Sequence, residues 1–147
     1  MSDLIIQKKS SRLYLDFFKR YAEEVAKDLL GRVMVRERPE KNPIYVQLQE
    51  IAAYESKMKS MAKGVLEQPG SIGVSTKFGK NLIDISTLEI CAPSCVTLIA
   101  GSVFDKREFR EYREGPGNLS KALEIDRTYD GVPLNFAKIW IGGEPVD

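Results

Sequence analysis

The chain has 147 residues, 43% of them hydrophobic and 29% charged, which is enough for one domain (1–147) with one core. Twenty-two Lys and Arg stand against 21 Asp and Glu, a formal net charge of +1, so a nucleic-acid surface would have to come from uneven distribution rather than gross basicity. With no histidine anywhere, Ser-His-Asp and Cys-His nucleophile pairs and histidine-ligated metals are excluded, and acid-base work falls to carboxylates, lysines or tyrosines.

In chain order, Leu15, Phe18, Ala22, Val25, Ala26 and Leu29 recur at three- and four-residue spacing and predict a helix over Tyr14–Leu30, with Gly31 at a C-terminus that favours positive φ. Val33–Val35 predicts a short strand, and the following RERPEKNP, with two prolines and many charges, predicts an exposed loop. The strand IYVQLQEIAAYES, Ile44–Ser56, comes next. On period-2 alternation it puts Ile44, Val46, Leu48, Glu50, Ala52 and Tyr54 on one face, a core face that ends in an acid, a gap and a ring. A carboxylate buried without a partner is costly, so Glu50 is expected where the core meets water or a ligand.

Helix formers run from Glu55 to Lys63, and Met58, Met61 and Val65 suit core packing. Strands are expected at Ser71–Phe78 and Asn81–Leu88, joined around Gly79, and at Cys95–Ala100. The string DKREFREYRE, Asp105–Glu114, has the spacing of an amphipathic helix. Cys91 and Cys95 are too few for a disulfide framework and read as reduced thiols in or near the core; no metal site and no cofactor is expected. No run of about 18 apolar residues exists to span a bilayer and the N-terminus lacks a signal-peptide core, so the expectation is a soluble, cytoplasmic protein, nucleoid-associated in a prokaryote.

The segment GPGNLSKALEIDRTYDG at Gly115–Gly131 resembles the GPGKLxxALGID signature of the alkyladenine (3-methyladenine) DNA glycosylase family. LLGRVMVR at Leu29–Arg36 resembles that family's LLGKxLVR, EIAAY at Glu50–Tyr54 its ETEAY, and PGSIGVSTKFG at Pro69–Gly79 its PGxxYVYxxYG. Four stretches in the family's order cover most of the chain. The resemblance implies a mixed α/β fold with a curved, mainly antiparallel sheet flanked by helices. It also implies a monomer that acts on double-stranded DNA containing a damaged purine, flips that base out and hydrolyses its N-glycosidic bond.

Carried over residue by residue, the resemblance makes Tyr54 the ring that stacks on the flipped base. Phe78 becomes the wedge that fills the vacated gap, bracketed by Lys77 and Lys80 for phosphates. Across a one-residue gap, Asp84 matches a pocket asparagine. Gly117 and Asn118, at the start of a helix, offer backbone N–H groups to a phosphate; Asn118 replaces the family's lysine there, and Lys121 supplies a cation one turn on. The departures fall in the pocket: Ala52 stands where the family has its catalytic glutamate, Ile99 where it has an arginine, and its histidine has no counterpart. Glu50 and Asp84 are then the candidate acids, with Glu50 roughly 6.6 Å from Ala52 along the strand. A catalytically inactive DNA-binding module is the alternative expectation.

Overall fold

The computed structural model describes residues 12–55, 69–87, 94–104, 110–134 and 138–143. Two short helices, α1 (Leu15–Phe18) and α2 (Ala22–Leu29), replace the continuous helix expected over Tyr14–Leu30. Lys19 leaves helical geometry at φ −80°, ψ 54°, and Tyr21 is extended at φ −59°, ψ 142°. The break has a packing cause. Phe18 is fully buried while its neighbour Phe17 meets it edge-on at 5.0 Å, with the Arg20 and Arg32 guanidinium groups over the Phe17 ring. At the break Arg20 Nε donates to the Phe17 carbonyl at 3.0 Å, the acceptor that an unbroken helix would give to the Tyr21 N–H. The C-terminal glycine behaves as expected, Gly31 taking φ +85°.

Among the described residues seven strands form one sheet: β1 (Val33–Arg38), β2 (Lys41–Glu55), β3 (Ile72–Lys77), β4 (Lys80–Thr87), β5 (Ser94–Phe104), β6 (Arg110–Glu114) and β7 (Ile139–Gly142). Every ladder is antiparallel, in the order β3-β4-β5-β2-β1-β7, with β6 beside β5. The expected fold class is the observed one: a curved, strand-dominated sheet with helices packed against it.

Two local expectations are corrected. The polar run after Val35 is a hairpin rather than a loop: β1 continues to Arg38, which pairs with Lys41, and Pro39-Glu40 turn the chain with Glu40 at φ +59°. Pro then positive φ suits a type II turn, and the Arg38 guanidinium clamps the Asn42 carbonyl at 2.6 and 2.8 Å. The helix expected over Asp105–Glu114 is also overturned, because its second half is β6, with Tyr112 opposite Ser102 and Glu114 opposite Ala100. Ladder hydrogen bonds to the long strand β5 outweigh the helical spacing of Phe109 and Tyr112. The helix expected between Glu55 and Lys63 lies, beyond the end of β2, outside the described residues, as do Cys91 and Leu88.

The main core lies on one face, where α2 and α3 (Pro116–Leu123) pack. It joins Phe18, Val25 and Leu29 to Val46, Leu48, Ile85, Val96, Leu98, Leu119 and Leu123, each worth roughly 1.5–3 kcal/mol of apolar burial for the larger side chains. A smaller cluster on the other face, Val33, Val35, Tyr45, Phe104 and Trp140, sits at the β1–β7 end. There Tyr45 stacks on Phe104 at 5.4 Å, and Trp140 donates to Glu37 at 2.8 Å.

β2 belongs to both faces. Val46 and Leu48 are in the main core, but the ladder with β5 slips on either side of Glu50: Leu48 faces Gly101, Glu50 faces Ala100 and Ile51 faces Leu98. Beyond this bulge Ile51 packs against the main core, so the single face expected from Ile44 to Tyr54 does not exist. Ala52 and Tyr54 stand on the face opposite the core.

Candidate functional site

Four strands carry one row of side chains on that outer face. Ala52 of β2 pairs with Thr97 of β5, Thr97 with Asp84 of β4, and Asp84 with Gly73 of β3. One step along, Tyr54 pairs with Cys95 and Cys95 with Ser86. At about 4.8 Å per strand spacing, the Ala52 and Asp84 backbones are on the order of 10 Å apart, with Thr97 between them.

Thr97 donates its hydroxyl to Asp84 Oδ1 at 2.5 Å. The Asp84 carboxyl is held above its ordinary value, chiefly by burial; the Thr97 hydrogen bond and the Lys77 ammonium pull it back down, and the charge of Asp130 pushes it up. Burial also pushes the Cys95 thiol up to about 11, with the Asp84 charge adding to the effect against the Thr97 hydrogen bond, so at neutral pH Cys95 is a protonated, inert neighbour. Asp84 is flanked by two positions that project almost nothing, Ala52 beyond Thr97 and Gly73 beside it. Tyr54, one step further along the row, is 56% exposed.

The β3–β4 hairpin ends in Phe78-Gly79, both at positive φ (+52° and +74°), the two-residue turn whose twist matches the strands. Phe78 is 100% exposed, held at the tip with Lys77 opposite Lys80 beneath it. β4 pairs with β5 from Asp84 to Thr87, and β6 takes up β5 from Ala100, so the hairpin tip projects beside the end of β6 and the start of α3. A side chain at Gly117 would come within 2.9–3.1 Å of the Lys80 stem, so the two are packed together. The GPG turn and the hairpin therefore converge. Gly115 at φ +97° precedes the helix, which begins at Pro116. The Asn118 amide is directed at the Glu114 carbonyl (2.8 Å), and Lys121 is exposed further along α3.

The remaining expected residues are not brought into this row. Glu50 is exposed at the bulge, opposite Ala100. Its neighbour Gln49 accepts from Ser102 at 2.5 Å. Ile99, where the resemblance expects arginine, is skipped by the β2–β5 ladder. Sequence reasoning missed Thr97, Gly73 and Asp130. A hydroxyl between Val96 and Leu98 marks Thr97 as the outward residue of a buried strand, whereas Asp130 sits in a YDG string that reads as an ordinary turn. No group of three or more Cys, Asp or Glu placed to hold a metal occurs among the described residues.

The sequence model of the methylpurine-DNA glycosylase family matches residues 16–147, and with it the strand, hairpin and GPG helix that build this site. The chain belongs to the methylpurine-DNA glycosylase family. It is 32% identical over 145 residues to a protein of Streptomyces avermitilis provisionally named a 3-methyladenine DNA glycosylase, an alignment covering 79% of this chain and 64% of that protein. A relative from Methanocella arvoryzae with the same name is 28% identical over 140 residues, covering 81% and 70%. The chain thus spans about two thirds of the length of these relatives.

Proposed function

We propose that this chain removes N-alkylated purines from double-stranded DNA, with Asp84 in place of the glutamate that the family carries at position 52. The observation that carries this reading is the row Ala52–Thr97–Asp84, in which a half-buried carboxylate, held by Thr97, lies one step from an exposed tyrosine. The flipped purine stacks on Tyr54 while Phe78 enters the gap it leaves, an exchange in which stacking offsets the few kcal/mol of unpairing.

In the chemical step the C1′–N9 bond breaks and its electron pair leaves with the base. A water oxygen bonds to C1′, and the proton that this water sheds passes to the Asp84 carboxylate. Asp84 suits this work on two grounds. Its raised affinity for a proton makes it a better base than an ordinary aspartate, and Thr97 fixes its orientation. Its negative charge also balances the oxocarbenium character that develops at C1′. Glu50 is exposed at the bulge, outside this row.

Single-turnover base release from duplexes carrying 3-methyladenine or 7-methylguanine tests the assignment. Wild-type protein releases base, Asp84→Asn is slower by at least about 100-fold, and Glu50→Gln stays near wild type. Wild-type rates in both variants would sink it. A second reading, a module that binds lesions without cleaving them, is favoured by Ala52 and Ile99. Tight lesion-dependent binding, no released base, and activity appearing in Ala52→Glu would establish that reading instead.

A further inference from the structure

We propose that the open edge of β6 pairs with the same strand of a second copy of this chain across a two-fold axis, joining two sheets into one. The surface is the edge Arg110–Glu114 and its partner is itself, a departure from the monomer that the family resemblance implies.

Among the described residues the sheet has lateral edges at β3, at β7 and, because β6 lies beside β5 off the main path, at β6. The chain's own backbone closes onto the first two. Along β3, Gly131 N–H donates to Ile72 O at 2.7 Å, Ile72 N–H to Val132 O at 2.8 Å, and Leu134 N–H to Gly70 O at 2.9 Å. Along β7, Leu13 N–H donates to Ile141 O at 2.8 Å. β6 is different: it pairs with β5 from Ala100 to Phe104, and no described strand follows on its other side. The Asn118 amide on the Glu114 carbonyl, at 2.8 Å, marks the C-terminal end of this edge. An open edge presents unpaired N–H and C=O groups, a template for another strand. Glu111, Tyr112 and Glu114 are exposed along it, Tyr112 at 53%.

The order of charges selects the second copy. In antiparallel pairing centred on Tyr112, the string REYRE sets Arg110 opposite Glu114, Glu111 opposite Arg113 and Tyr112 opposite itself, so opposite charges meet at every charged position. Shifting the register by one residue sets Arg110 against Arg113 or Glu111 against Glu114, and parallel pairing in register sets every charge against its like. Charges on an edge deter indiscriminate pairing, and these deter the alternatives while favouring one symmetric register. Glu111 already holds Arg113 within its own strand. Across the axis each gains its counterpart from the second copy, so two glutamates and two arginines alternate in one cluster, which is worth more than isolated exposed pairs. A two-fold through this edge runs perpendicular to the sheets, so both copies turn the Ala52–Thr97–Asp84 row to the same side.

Sedimentation equilibrium of the whole chain tests the pairing. An edge of this length makes a small interface, so over about 5 μM to about 1 mM wild type is expected to pass from 16.6 kDa toward twice that mass, with a dissociation constant on the order of 100 μM. Arg110→Glu with Arg113→Glu makes the edge wholly acidic, and Glu111→Arg with Glu114→Arg makes it wholly basic. Each double variant alone should dimerise at least about tenfold more weakly, and an equimolar mixture should recover wild-type association to within about threefold. Should either variant melt below wild type, a cross-link decides. Residues directly opposite have Cβ atoms about 5 Å apart, close enough to bridge, whereas the two copies of position 111 lie diagonally at about 7–8 Å. On mild oxidation Tyr112→Cys should therefore link two copies through position 112, and Glu111→Cys should not link them through position 111. Wild type that remains at 16.6 kDa throughout, double variants that dimerise as wild type does, a mixture of folded variants that fails to associate, or equal cross-linking at the two positions would each overturn the proposal.

Discussion

At Gly101 β5 lies tight against β2, and replacing it with alanine gives a prediction whose size can be worked from distances. A Cβ there would lie 2.6 Å from the Gln47 carbonyl oxygen and 2.6 Å from Val46 Cγ1. Ordinary contacts between such atoms are about 3.5–4.0 Å, so β2 and β5 must separate by close to 1 Å or Val46 must leave its rotamer. Neither relaxation is easy, since Gln47 collides through backbone and Val46 is fully buried. Overpacking of this kind costs about 1–3 kcal/mol, and a collision with backbone belongs at the upper end, about 3 kcal/mol. At about 2–4 °C per kcal/mol for a chain of this size, Gly101→Ala should melt about 6–12 °C below wild type in a circular-dichroism thermal scan. Gly73→Ala is the control within the same sheet. Its nearest neighbour, Asp84 Cβ, would be at 3.6 Å, an ordinary contact, and its melting temperature should stay within about 2 °C of wild type. Equal melting temperatures for the two variants would refute the reasoning.

Two further outcomes are expected. Phe78→Ala should leave stability within about 0.5 kcal/mol of wild type, because the ring is wholly exposed. Base release from duplex DNA should nevertheless fall by at least about tenfold while release from single strands is unchanged, since an unpaired strand has no gap for a wedge to fill; equal losses on both substrates would remove Phe78 from that role. For Asp84 the sign follows from its raised carboxyl. The folded state holds the proton more tightly than the unfolded chain, so stability falls as pH rises from the unfolded value of 3.8 through the folded one, and the penalty persists at neutral pH. Asp84→Asn, which can still accept from Thr97, should therefore gain in melting temperature relative to wild type between about pH 4 and 7. A gain that does not change with pH would show that Asp84 ionises as freely as in the unfolded chain.

What could be read from the sequence follows the range of the interactions involved. The apolar period that marks Ala22, Val25, Ala26 and Leu29 is local, and those four are buried together on α2. The β3–β4 hairpin is likewise written in a few neighbouring residues, with Gly79 at its turn. The break at Lys19 depends on Arg20 being held between the Phe17 carbonyl and Asp28 of the next helix, and β6 depends on β5 offering it an edge, so neither is visible in a short window. The bulge at Gln49-Glu50 is the costliest omission. Nothing in QLQEIA marks it, yet it turns Ile51 toward the core and Ala52 away. Tyr54 and Asp84 stand out in the sequence because a family motif falls on a ring at one and on an acid at the other. Asp130 does not, because its partner Val74 lies 56 residues away on β3.

The slip in the β2 ladder also separates two kinds of selection acting on one strand. Upstream of it, Val46 and Leu48 answer to the packing of the interior, where a lost methylene is felt throughout the domain. Downstream, position 52 looks away from that interior, and a change from glutamate to alanine there removes no core volume and opens no cavity. On the function proposed above, alanine at position 52 leaves the fold intact while the acid works from Asp84, along the row from β2 to β4.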